Sequence, residues 1–293
     1  RFSWEKFYKK NLIKFNNYRK ETMNLSKVKL VVSDMDGTLL NSKGEVSKLF
    51  FELYKQLKQL NIHFCAASGR QYDSIVKKLD LIKDDIFVIA ENGGIAKKGE
   101  DVLVSSPLSK EKIKKIIPLL RTINGAHIVL CGKNKAFVES KNKVFISLFR
   151  EYYSSFQIVE DLINILDSED FLKIAVYHFI SSEVYIYPKL KHLENEVLIK
   201  ISGKNWLDIS NKKANKGNAL RRVQKTLNIT REETMVFGDY HNDIEMLKEA
   251  NFSFAMQNAH QDIINIANYT TDNGNDNFGV EKTLELLIKS NTK

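Results

Sequence analysis

The feature that most constrains this chain is a unit that recurs along it: a short apolar run that stops at a polar cluster and is followed by residues at helical spacing. Leu30, Val31 and Val32 form the first run, of the kind shown by a strand buried on both faces. It stops near Ser33, where Asp34 and Asp36 follow and Gly37 breaks the pattern. Leu49, Phe50, Leu53, Tyr54, Leu57 and Leu60 then recur at helical period. A second strand over residues 62–67 ends in Ser68-Gly69-Arg70, a helix runs on from 71 to about 79, and a third strand over 86–90 ends in Glu91-Asn92-Gly93-Gly94. Such alternation predicts an α/β fold with a Rossmann-like, doubly wound parallel sheet. Ligands bind such sheets at the carboxyl ends of the strands, where these polar clusters sit.

Between residues 95 and 202 the character changes to α+β. Strand-like pieces at 102–104, 127–131, 136–139, 172–178 and 197–201 alternate with helical stretches at 109–123 and 144–153, and Pro118 and Pro188 are expected to kink or interrupt two of the helices. No motif of catalytic type stands out there. The βα pattern resumes at 206–209, with a helix from about Asn215 to Leu227 and capping-box spacing at Thr230 and Glu233. A strand at 234–237 then ends in Gly238-Asp239-Tyr240-His241-Asn242-Asp243, and one more strand and two helices close the chain. Ser68 and Lys216 are 148 residues apart, far more than one strand–helix unit needs. The expected division is an extension over 1–26, a core over 27–94 and 203–293, and an inserted domain over 95–202.

At 293 residues the chain can bury two cores, and with 43% hydrophobic and 28% charged residues it reads as globular. The net charge of +9 raises nucleic acid as a partner, but seven bases against two acids fall within residues 1–26, so the rest carries only a lysine-rich surface. In that segment Trp4, Phe7, Tyr8, Leu12 and Phe15 recur at helical spacing. A basic amphipathic helix can lie on a membrane or carry a targeting signal. An extension packed on the domain, or a segment upstream of a start at Met23, is the favoured reading. No apolar run reaches the roughly 18 residues of a membrane span, and Cys65 and Cys131 read as reduced core thiols of a cytoplasmic protein.

Asp34 and Asp36, Ser68, and Asp239 and Asp243 fall at the ends of three strands of one expected sheet, so they can converge. Four carboxylates within about 4–6 Å of one another repel by several kcal/mol per pair and take up protons unless a cation sits among them. With only oxygen ligands on offer, the cation expected is Mg²⁺ rather than zinc. Lys216 adds a positive charge, Ser68 a hydroxyl, and the backbone N–H groups around Gly37 and Gly69 an anion cradle. An aspartate held against a phosphate can attack phosphorus, and Asp36 can protonate the leaving oxygen and then take a proton from water.

Asp34-Met35-Asp36-Gly37-Thr38 resembles the D-x-D-G-T motif of the haloacid dehalogenase superfamily of phosphohydrolases, and Ser68-Gly69-Arg70, Asn215-Lys216-Gly217 and Gly238-Asp239-x-x-Asn242-Asp243 resemble its later motifs. Asn92-Gly93, Ala255-Met256 with Asn258-Ala259, and Asn277-Phe278-Gly279-Val280 are similar to its Cof-type, sugar-phosphatase-like subfamily. The resemblance implies Asp34 as nucleophile, Asp36 as general acid/base, and Ser68 and Lys216 as phosphate-binding. It implies a metal held by Asp34, Asp239, Asp243 and the Asp36 carbonyl, Asn92 as a substrate contact, and residues 95–202 as an αβ cap of type IIB. Asn242 either binds phosphate or orients Asp239. The function expected is Mg²⁺-dependent hydrolysis of small phosphorylated metabolites, sugar phosphates among them. The alternatives are a phosphotransferase or phosphomutase on the same fold and a non-catalytic basic nucleic-acid-binding or regulatory protein.

Overall fold

The structure, a computed structural model, describes residues 23–292. The aromatic and basic residues of the extension before Met23 therefore lie outside the described residues.

Strands β1 (Leu30–Asp34), β2 (His63–Ala67) and β3 (Phe87–Ala90) run parallel. The antiparallel hairpin of β4 (Ile95–Lys98) and β5 (Asp101–Ser105) extends their edge. A second group of strands comprises β6 (Ala126–Gly132), β7 (Ala136–Val138), β8 (Phe156–Ile158), β9 (Phe171–His178), β10 (Leu198–Ile201) and β11 (Trp206–Ser210). The chain returns to the first sheet with β12 (Thr234–Gly238), β13 (Phe252–Ala255) and β14 (Tyr269–Thr270). The described residues thus form an eight-stranded sheet in the order β14-β13-β12-β1-β2-β3-β4-β5 and a six-stranded sheet in the order β10-β11-β9-β6-β7-β8.

In the first sheet the chain leaves β1 toward β2 on one side and pairs it with β12 on the other. That reversal opens a crevice at the carboxyl ends of the two strands. Alternation along β1 decides which helices cover which face. Val31 packs into the cluster of Phe50, Leu57, Leu284 and Leu287, while Leu30 and Val32 pack with Leu220, Val223 and Met246. Helices Lys48–Gln59 and Gly279–Asn291 therefore lie on one face, and Lys216–Leu227 and Ile244–Lys248 on the other. Cys65 and Cys131 are free and buried.

Strand pairing places both edges of the insert differently from the sequence division at 95 and 203. The hairpin of β4 and β5 belongs to the first sheet because the backbone of Val88–Ala90 offers it an open edge. β11 belongs to the second sheet, antiparallel to β9 and β10, rather than to the resumed βα pattern. Hydropathy alone does not distinguish the two sheets, since β11 is apolar enough for either. Pro118 does not interrupt its helix: it lies inside the continuous helix Lys110–Arg121, which Ile113, Ile116, Ile117 and Leu120 anchor. Pro188 does separate Ser182–Tyr185 from Tyr187–Leu190, sitting in the first turn of the latter. The turn Arg231–Glu233 carries the capping box of Thr230 and Glu233. Among the described residues no helix is long and apolar enough to cross a membrane.

Candidate active site

Asp34 is the last residue of β1, and its carboxylate is almost wholly buried. The Lys216 ammonium, fully buried at the start of helix Lys216–Leu227, donates to Asp34 Oδ1 at 2.5 Å and to Asp243 Oδ1 at 2.7 Å. Asn215 caps that helix by accepting the Asn218 N–H, which fixes where the lysine starts. The other oxygen of Asp243 accepts the backbone N–H groups of Asp239 and Tyr240 at 2.9 and 3.2 Å, so Asp243 shapes the loop after β12 from behind.

Asp239 meets the loop after β1. Thr38 Oγ1 donates to Asp239 Oδ1 at 3.1 Å, and Asn258 Nδ2 donates to the Gly37 carbonyl at 2.8 Å. Gly37 has φ +76°, and a Cβ there would stand 2.4 Å from Asp239 Oδ2. Only glycine allows both the left-handed backbone and this close approach. One oxygen each of Asp34, Asp239 and Asp243 lie within 4.8 Å of one another.

Burial pushes the Asp34 carboxyl well above its ordinary value; Lys216 opposes this, and Asp243, Asp239 and Asp36 add to it. Asp239 is pushed up to about 7, chiefly by burial and by Asp243, against the Thr38 hydrogen bond. Burial alone would lower the Lys216 ammonium, but Asp243 and Asp34 outweigh it and raise it. One lysine among three carboxylates, two buried and one half-buried, leaves negative charge uncompensated. All the donors are oxygens and Gly37 keeps the space beside Asp239 open, so these residues fit a small hard dication such as Mg²⁺.

These groups open on a cavity of about 350 Å³. Asp34, Asp36, Gly37, Ser68, Gly69 and Asp239 line it, together with Tyr152, Tyr177, Lys204, Asn205 and Trp206 from the second sheet and its connections. Tyr152 and Tyr177 stand edge-on to Trp206, with ring centroids 5.5 and 5.0 Å away. Arg70 clamps the Asp36 carboxylate with two hydrogen bonds of 2.7 and 2.6 Å and lies over the Tyr152 ring at 4.5 Å. Ser68 does not cap the following helix, whose N-cap is Gln71; its Oγ accepts the Arg70 N–H at 3.1 Å.

Lys216 and Asn92, expected to meet phosphate or substrate, are both placed outside the cavity lining. Lys216 and Asp243 are not among the residues lining the cavity; they sit behind Asp34 and act on it. Asn92 does not line it either, because both ends of its amide are taken. Its Nδ2 donates to Asp208, and its Oδ1 accepts from Asn242 Nδ2 at 3.0 Å. Asn242 thus reaches Asn92 rather than Asp239, while still lining the cavity. His241 turns to the rim and pairs with Asp262 at 3.1 Å.

Sequence reasoning missed the contribution of β9. Lys173 lines the cavity and is almost wholly buried. Its Nζ lies 3.0 Å from Glu91 Oε2 and 3.2 Å from Asp208 Oδ1, and it donates to the Gly69 carbonyl at 2.7 Å. The available signal was a lone lysine inside the apolar run of Phe171–His178, since a lysine is almost never fully buried unless paired.

Comparison with known proteins agrees with this geometry. The haloacid dehalogenase-like hydrolase family matches residues 31–284. The chain is 32% identical over 268 residues to 5-amino-6-(5-phospho-D-ribitylamino)uracil phosphatase YbjI of Escherichia coli (strain K12), covering 89% of this chain and 97% of that protein. The fold is similar to that of SMU.1108c from Streptococcus mutans UA159, with a TM-score of 0.82, 28% identity, and coverage of 89% of this chain and 99% of that one. It is also similar to BT4131, described as a HAD subclass IIB sugar phosphatase, with a TM-score of 0.77 at 23% identity, covering 88% and 98% of the two chains. The match across both sheets, together with carboxylates gathered at the switch between β1 and β12, places the chain in the haloacid dehalogenase-like hydrolase family.

Proposed function

We propose that this hydrolase is a phosphatase of small phosphate monoesters, working through an aspartyl-phosphate on Asp34. The observation that carries the reading is Asp34 itself: a buried carboxylate at a strand end, backed by Lys216 and open to the cavity beside Asp36, Ser68 and Gly69.

In the first half-reaction an Asp34 oxygen bonds to phosphorus, the ester P–O bond breaks, and Asp36 gives its proton to the departing oxygen. In the second, Asp36 takes a proton from water, whose oxygen bonds to phosphorus and releases the Asp34 carboxylate and inorganic phosphate. Arg70 holds Asp36 on the cavity side through one hydrogen bond to each carboxylate oxygen, which leaves each oxygen a second lone pair for proton transfer. Lys216 and the backbone of Ser68 and Gly69 orient the phosphoryl group, Lys216 through its hold on Asp34. Mg²⁺, held by Asp34, Asp239, Asp243 and the Asp36 carbonyl, would neutralise the phosphate and keep Asp34 ionised.

The six-stranded sheet serves in this reading as the cap domain, excluding bulk water and choosing the leaving group. The aromatic wall of Tyr152, Tyr177 and Trp206 suits a sugar or sugar-alcohol phosphate with one apolar or flat face. The Escherichia coli relative, named for a phosphoribitylaminouracil, fits that description. The test is release of inorganic phosphate across a panel of sugar and sugar-alcohol phosphates with and without Mg²⁺. Phosphate passing to a second substrate's hydroxyl, with none released to water, would replace the reading by a phosphotransferase.

A further inference from the structure

Lys173 comes from the six-stranded sheet, yet its ammonium is bonded into the loop that follows β2 of the other sheet. Three successive carbonyls of that loop are held by donors. Ser68 O accepts the Asn92 N–H at 3.0 Å, Gly69 O accepts Lys173 Nζ at 2.7 Å, and Arg70 O accepts the Glu91 N–H at 3.0 Å. In a planar trans peptide the N–H points opposite to its C=O. Fixing the first two carbonyls therefore turns the Gly69 and Arg70 N–H groups to the opposite side; Arg70 N–H bonds Ser68 Oγ, and Ser68, Gly69 and Arg70 all line the cavity.

The segment that supplies the other two donors is itself held against its preference. Glu91 and Asn92 have φ of +50° and +52°, and Gly93 follows at +90°. Left-handed backbone is disfavoured at a long side chain such as Glu91, and such strain persists only where the surroundings impose it. Here they do. Glu91 pairs with Lys173, Asn92 donates to Asp208 of β11 and accepts from Asn242, and a Cβ at Gly93 would stand 2.3 Å from the Asn215 carbonyl. The Lys173–Glu91–Asp208 cluster thus ties two strands of the second sheet to the loops carrying Ser68 and Asn242.

We propose that Lys173 is a positioning residue for anion binding: by holding the Gly69 carbonyl it sets the phosphate-facing backbone of Ser68–Arg70, so that seating of the second sheet and phosphate affinity are coupled. This rests on the phosphatase reading for its ligand. Three variants of the full chain test it: Lys173→Arg, Lys173→Met, and Lys173→Met combined with Glu91→Gln and Asp208→Asn, which leaves no buried charge unpaired. The readouts are inhibition by inorganic phosphate, KM and kcat on p-nitrophenyl phosphate, and hydrogen exchange of the amides of residues 68–71.

Loss of a hydrogen bond from a charged donor should raise the phosphate inhibition constant and KM roughly tenfold, with a smaller change in kcat, faster exchange at Gly69 and Arg70, and partial rescue by Lys173→Arg. The neutral triple variant should melt within a few degrees of the parent. A folded triple variant with unchanged phosphate inhibition, KM and exchange overturns the proposal. So does a triple variant that fails to fold, because the lysine would then hold the domain together rather than set the loop. If the parent chain releases phosphate from no ester, the phosphatase reading fails, and the exchange measurement still decides the role of the lysine.

Discussion

Two fully buried lysines, Lys216 and Lys173, each face a pair of carboxylates, and the two clusters solve the same electrostatic problem differently. Lys216 meets Asp34 and Asp243 with Asp239 close by, and it leaves Asp34 and Asp239 open to the cavity. Lys173 meets Glu91 and Asp208, while an asparagine amide and a backbone carbonyl complete its surroundings. The first arrangement keeps excess negative charge that a dication can relieve. The second sets one ammonium against two carboxylates and ties two sheets together.

The largest expected effect separates the clusters by chemistry. Asp34→Asn should lower turnover by about 10⁴-fold or more while circular dichroism and melting stay those of a folded protein; normal phosphate release would end the proposed mechanism. Removing either lysine sharpens the contrast in stability. Lys216→Met and Lys173→Met should each cost about 3–5 kcal/mol, the cost of leaving buried carboxylates unpaired. Mg²⁺ should recover much of the loss in the first and none in the second, as read by denaturant unfolding. Equal recovery would erase the distinction.

Gly37→Ala comes next: its Cβ would strike Asp239 in a left-handed backbone, and a displacement on the order of 1 Å at reacting groups costs about 10²-fold in rate. Gly99→Ala also has positive φ but meets nothing within 4 Å, so it should leave kcat/KM unchanged. The pH dependence of metal binding is a subtler mark of the first cluster. Because Asp239 is raised to about 7, the metal-free folded chain binds more protons than the unfolded one between about pH 4 and pH 7. Its stability should fall as pH rises through that window. The increase in melting temperature on adding Mg²⁺ should therefore be larger at pH 8 than at pH 5.5; an increase that shrinks with pH would contradict this charge balance. Thr230→Ala, distant from both clusters, should cost only ~1 kcal/mol through loss of a capping box and leave activity intact.

Much of the first cluster was legible because each of its residues sits beside a local signal. Asp34 follows Leu30–Val32, Lys216 follows the capping Asn215, and Asp239 follows the run from Thr234. The second cluster gave only one local cue, the lone lysine in the apolar run of β9. Lys173 and Asp208 lie in strands that read as apolar runs, and Glu91 and Asn92 read as the polar end of the third strand, with Asn92 expected at the substrate. Their meaning arises only when β9 and β11 pair, bringing Lys173 to the Gly69 carbonyl and Asp208 to Lys173 and Asn92.

The sequence by itself determined the alternation of strand and helix, the carboxylates at the strand ends, and the presence of a long insert, since each depends on residues near one another in the chain. Only the tertiary structure decided that β4 and β5 join the first sheet, that β11 joins the second, that Lys216 stands behind Asp34 rather than in the cavity, and that Lys173 reaches across to the loop after β2. The physical reason is that side-chain periodicity fixes which face of a strand is buried, whereas its partner is chosen by open backbone edges contributed from far along the chain.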